Sequence, residues 1–75
     1  MTRADQSVKE LDCVVINGVA VPNGGSVRRR NGVEMIVTRI KEDRHGPYIV
    51  VHDPASNRAF IIEELGFGYL TPLVS

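Results

Sequence analysis

From Leu11 onward, apolar residues come in short runs set between clusters of Gly, Asn, Asp and Pro. Runs this short suit strands joined by tight turns better than helices. Cys13-Val14-Val15-Ile16, Asn17-Gly18 and Val19-Ala20-Val21 predict a hairpin closed by a two-residue type I′ turn. That turn needs positive φ at both central residues, which Asn and Gly tolerate best. Pro22-Asn23-Gly24-Gly25 then interrupts the ladder, because proline has no N–H to donate and the glycines favour a loop. A second Asn-Gly hairpin follows, from Ser26–Arg30 through Asn31-Gly32 to Val33 and on to about Lys41.

Glu42–Pro47 reads as a charged loop, Tyr48–His52 as a buried strand and Asp53–Asn57 as a turn cluster. Arg58–Ile62 is the next strand. Glu63-Glu64-Leu65 is expected to tighten into a 3₁₀ turn ended by Gly66, and Phe67-Gly68-Tyr69-Leu70 to add a last short strand before Thr71-Pro72. Residues 1–10 are polar and aperiodic; they read as a flexible segment, with Ser7 and Glu10 as the alternative start of a short helical turn. The fold expected is all-β: a small SH3-like antiparallel barrel of five or six short strands with an added N-terminal hairpin, occupying residues 11–75 as one domain.

A two-residue turn at Asn31-Gly32 would place Arg30 opposite Val33, Arg29 opposite Glu34, Arg28 opposite Met35 and Val27 opposite Ile36. Side chains alternate along a strand, so one face then carries Val27, Ile36, Thr38 and Ile40 and reads as core. The other carries Arg28, Arg30, Val33, Met35, Val37 and Arg39, and is the predicted partner-binding surface. Arg and Met are enriched at protein interfaces. A second reading stands beside it: a strongly curved barrel buries both faces, and the arginines lie along apolar surface. Tyr48–His52 and Arg58–Ile62 also carry apolar residues on both faces, a surplus that one small interior does not absorb. A homodimer or higher oligomer is therefore expected.

The 75 residues allow one domain, which at this size buries only about 60% of its unfolded surface. Nine basic residues balance nine acidic ones, yet Arg28, Arg29, Arg30 and Arg39 fall on one hairpin. A nucleic-acid partner is the alternative that this clustering raises; zero net charge argues against it. Cys13 is alone, which excludes an internal disulfide and fits a cytoplasmic location; its apolar neighbours suggest burial. No apolar run is long enough to cross a bilayer as a helix.

Catalytic chemistry is hard to assemble. Ser7, Ser26, Ser56 and Ser75 sit in turns or at termini, and His45 and His52 read as a solvated loop residue and a partner of Asp53 or the backbone. The adjacent Glu63 and Glu64 point to opposite faces if extended. Neither Gly24-Gly25 nor Gly66-Phe67-Gly68 precedes a helix, as a phosphate cradle requires. No cofactor, metal site or enzymatic activity is expected.

The run from Gly25 to Val37, with Val27, the basic residues 28–30 and Met35-Ile36-Val37, resembles the opening of SH3-like small barrels, most nearly the uncharacterised YodC-like bacterial family. Arg58 to Leu65 is similar to that family's closing aromatic strand. The likeness spans about residues 24–66. It departs in using Asn-Gly-Val at the turn, in lacking a Trp after the second loop and in the added N-terminal hairpin. It implies a fold and no activity. The Gly-x-Val-Arg opening is also similar to the plasmid-borne, trimethoprim-insensitive dihydrofolate reductases, which place Val-Gln-Ile-Tyr in a tetramer pore where this chain has Arg58-Ala59-Phe60-Ile61. The expectation from residues and resemblance together is a non-enzymatic interaction module, binding a protein partner and itself, such as a phage or mobile-element modulator of a host macromolecule. An oligomeric pore-type reductase is the least supported alternative.

Overall fold

The computed structural model describes residues 8–73. The expectation of a flexible terminus over residues 1–10, and the Ser7 helical turn, fall largely on residues outside that range. Lys9 and Glu10, however, form a short strand.

The described residues form eight strands: β1 (Lys9–Glu10), β2 (Cys13–Ile16), β3 (Val19–Pro22), β4 (Ser26–Arg29), β5 (Glu34–Asp43), β6 (Gly46–Asp53), β7 (Arg58–Glu63) and β8 (Leu70–Leu73). A 3₁₀ segment, Glu64–Tyr69, links β7 to β8. The main sheet runs β7-β6-β5-β4-β8, all antiparallel, and β2 and β3 form a separate ribbon. The ten-residue β5 is the spine. Along one edge it pairs with β4 through Glu34–Ile36 and with β1 through Lys41–Glu42. The β1 pairs, Lys9 with Glu42 and Glu10 with Lys41, set opposite charges across the ladder. The protein is thus all-β, but among the described residues no ladder joins β7 to β8, and the expected closed barrel is not formed.

The first hairpin is the one expected. Ile16 pairs with Val19, and Asn17 (φ 51°) and Gly18 (φ 82°) supply the two positive φ values. The Asn17 side-chain amide donates to the carbonyls of Leu70 (2.6 Å) and Phe67 (3.3 Å), tacking the ribbon onto the start of β8.

The second hairpin corrects the expectation by one residue. Val27 pairs with Met35 and Arg28 with Glu34, leaving a three-residue loop of Arg30, Asn31 and Gly32. Arg29 carbonyl accepts from Gly32 N–H, and Arg29 N–H donates to Val33 carbonyl, both at 2.8 Å. This is a tight turn followed by a left-handed residue, and Gly32 at φ 92° fills that position. Asn31 Oδ1 accepts from Val33 N–H and so steadies the loop.

A one-residue slip exchanges the faces of a strand. Met35 and Val37, expected on the binding face, are 1% and 0% exposed in the core, whereas Ile36, expected in the core, is 39% exposed. An irregularity between Val37 and Arg39 then shifts the phase, so Ile40 returns inward. The Thr38 hydroxyl at this bulge donates to Val50 carbonyl. Val14, Ile16, Val21, Val27, Ile49, Val51, Phe67 and Leu70 complete one continuous core, contributed by both sheets and the 3₁₀ segment. Cys13, expected to be buried, lies on the outer face of the ribbon and is exposed.

Candidate interaction surface

The six residues predicted to form one binding face are dispersed. Arg28 lies on the outer face, where its guanidinium meets Glu34 Oε2 at 3.0 Å. Arg39 lies farther along that face, 3.8 Å from Glu10 Oε2. Both pairs are exposed and of little energetic weight. Val33 is half-buried against the core, and Met35 and Val37 are inside it. Arg30 sits in the three-residue loop with its guanidinium 5.9 Å from the centre of the Tyr69 ring, within cation–π range.

That last contact marks a surface that strand patterning did not reveal. Where the sheet fails to close, a cleft of about 350 Å³ opens between the β4–β5 loop and the 3₁₀ segment. Arg29, Arg30 and Asn31 form one wall; Ile62, Gly66, Tyr69 and Leu70 form the rest. Arg29 pairs with Leu70 across the β4–β8 ladder, which turns its side chain toward this seam. Tyr69 in the seam is 59% exposed, and Leu65, elsewhere on the 3₁₀ segment, is 93% exposed. An exposed aromatic ring beside two arginines at an open apolar cleft is unusual for a surface with no partner. Tyr69 and Leu65 carry no periodic signal, because both lie in a 3₁₀ segment whose facing depends on the path from β7 to β8.

The apolar surplus of the last strands is real, and it collects on β7. Ile49 and Val51 of β6 are buried, whereas Phe60 and Ile61 of β7 remain exposed. A second hollow, of about 560 Å³, is bounded by Asp43, His45, Tyr48, Glu63, Glu64 and Leu65.

The remaining polar groups serve turns. The Ser56 hydroxyl at 2.9 Å, with help from the Ala55 and Ser56 backbone amides and nearby His52, holds the Asp53 carboxyl below its ordinary value against an opposing desolvation. His52 Nε2 meets Asn57 Oδ1 at 3.0 Å, not Asp53 or the backbone as expected. Asp43 Oδ1 accepts from His45 N–H, fixing the Arg44-His45 turn. Among the described residues no group of three or more His, Cys, Asp or Glu is placed to hold a metal ion. No helix among them is long and apolar enough to cross a membrane. The chain has no match among the protein families, curated proteins or solved structures with which it was compared.

Proposed function

We propose that this chain is a small, non-catalytic β-sheet interaction module that binds a protein partner at the seam and associates with itself. In this reading the domain is an SH3-like barrel left open between β7 and β8, in line with the resemblance of residues 24–66 to the YodC-like family. One observation carries the proposal: Tyr69, Ile62 and Leu70 stand beside Arg29 and Arg30 around an open, largely apolar cleft. Tyr and Arg are the residues on which binding energy most often concentrates, and an apolar centre with a charged rim is the usual anatomy of a protein interface. The ionisable groups support the non-catalytic reading, since Asp53, His52, Asp43 and Glu34 are each committed to a turn or a cross-strand pair. The nucleic-acid alternative draws less support, because Arg28 and Arg39 each lie beside a carboxylate.

Capture from a bacterial lysate tests this, using wild type, Tyr69→Ala and Arg30→Ala, each checked for an unchanged circular dichroism spectrum, with and without nuclease. A protein held by wild type, insensitive to nuclease and lost with both variants is the expected result. Equal capture by the variants, or capture that disappears with nuclease, overturns the proposal.

A further inference from the structure

Among the described residues nothing pairs with the outer edge of β7, and that edge points to its own occupant. We infer that two copies of this chain pair antiparallel along β7, centred on Ile61, and extend the six-stranded sheet into a continuous one across a two-fold axis. This rests on the self-association reading above and names the surface that performs it.

The long strands of the main sheet differ in how their edges are covered. β5 is covered on one side by β6 and on the other by β4 and β1 lying end to end. β8 is an outer strand, but Pro72 blunts it. Val27 turns its backbone groups toward β5, because the flanking bonds Arg29 N–H to Val33 carbonyl and Val37 N–H to Gly25 carbonyl fix the alternation of that ladder. Pro72 pairs with Val27, so the N–H it lacks would have pointed outward. β7 has none of these protections. It pairs regularly with β6 from Asp53–Arg58 to Tyr48–Glu63 without a bulge, and within Ala59-Phe60-Ile61-Ile62 there is no proline and no charge. Long apolar edges of this kind are templates for further pairing.

The same alternation identifies the free backbone groups. Residues 33, 35 and 37 of β5 bond toward β4, and Ile40 carbonyl accepts from Leu11 N–H on that same side. Ile36, Arg39 and Lys41 therefore bond toward β6, at His52, Val50 and Tyr48. The intervening Ile49, Val51 and Asp53 bond toward Ile62, Phe60 and Arg58 of β7. Ala59, Ile61 and Glu63 are left with N–H and C=O facing the open edge. A two-fold axis through Ile61 sets Ile61 of one copy opposite Ile61 of the other, and Ala59 opposite Glu63, so these free groups meet one another. It also sets Phe60 opposite Ile62 and Arg58 opposite Glu64, one opposite-charge pair at each end of the ladder. Centring on Phe60 would instead set Arg58 opposite Ile62, and an in-register parallel pairing would set Arg58 against Arg58. Only the Ile61 register joins the charges. Ile61, 66% exposed in one copy, becomes the centre of the joined outer face. Seven residues a side, from Arg58 to Glu64, is a small interface, so the dimer is expected to be reversible and concentration-dependent.

Sedimentation equilibrium from about 10 µM to 1 mM tests the inference, a range that spans weak self-association. The expected result is a monomer–dimer equilibrium for wild type. Ile61→Lys should be monomeric throughout with an unchanged melting temperature, because that side chain packs on nothing essential within one copy. Arg58→Glu and Glu64→Arg should each weaken the dimer roughly tenfold through the loss of two symmetric ion pairs, and the double variant should restore it. A wild-type monomer at the highest concentration overturns the inference. So does a dimer that survives Ile61→Lys, or a double reversal that fails to rescue. Seam variants Tyr69→Ala and Arg30→Ala should dimerise normally, so failure of edge pairing and failure of partner capture are read separately.

Discussion

Truncating two neighbouring residues of β5 gives the sharpest check on how the second hairpin is aligned. Met35→Ala removes three heavy atoms from a site 1% exposed, packed in the core and paired with Val27 across the ladder. Lost transfer energy together with the cavity left behind costs about 3–4 kcal/mol for a buried Met. At about 0.05–0.15 kcal/mol per residue, the whole domain is worth roughly 4–11 kcal/mol, so one truncation removes a third or more of it. The melting temperature should fall by roughly 15 °C or more. Ile36→Ala also removes three heavy atoms, but from the outer face, where the side chain is 39% exposed and solvent can fill the space. At about 0.8 kcal/mol per buried carbon and partial burial, its cost is about 1–1.5 kcal/mol. Urea titration followed by far-UV circular dichroism measures both, and an unchanged m-value shows that only the folded state was affected. If Ile36→Ala is the more damaging, the two-residue turn is correct, the three-residue loop is wrong, and Met35 returns to the surface.

Other expectations follow from single contacts. Gly32→Ala at φ 92° should destabilise by about 1 kcal/mol, and by more than Asn31→Ala, because the left-handed residue and not the asparagine closes the loop; thermal denaturation ranks them. Asn17→Gly keeps the turn but removes the amide that bonds Leu70 and Phe67, so amide hydrogen exchange should accelerate in β8 before β5 or β6, at a cost of about 1–2 kcal/mol. Asp53 has a folded-state value below the ordinary 3.8, so the stability it contributes is present above that value and lost as pH falls through the folded one. Asp53→Ala should therefore destabilise more at neutral pH than in strong acid, and equal losses at both would show that its ionised form does not hold the turn. Glu10→Ala should shift stability by less than about 0.5 kcal/mol, since its pair with Arg39 is long and solvated.

Turn chemistry and alternation are local properties, and they were legible. The Asn17-Gly18 hairpin, the strands at Tyr48–His52 and Arg58–Ile62 and the antiparallel class all follow from residues within a few positions of one another. The 3₁₀ segment, by contrast, runs past Gly66 to Tyr69, and the last strand is Leu70–Leu73, not Phe67–Leu70 as expected. The binding face was not legible, for a parity reason. Asn31-Gly32 is compatible with a two-residue loop and with a three-residue loop that ends on Gly32, and the two differ by one residue of register. One residue reverses every side chain of β5 up to the bulge. It moved Met35 and Val37 into the core and Ile36 out, and it broke up the predicted arginine face. The choice between the loops is made by the core as a whole, where Met35 and Val37 fill space beside Val27, Val51 and the ribbon residues Val14 and Val21.

Turn residues, alternation and composition are enough to specify a small antiparallel β protein with more apolar residues than one interior absorbs and with basic charge gathered on one hairpin. Tertiary structure decided where those features come to rest. The seam joins Arg30 to Tyr69 and Arg29 to Ile62 across more than thirty positions of chain, and the β7 edge is open only because the sheet ends there. Neither could be read from neighbours in sequence, because both arise where the path of the chain leaves the sheet unclosed.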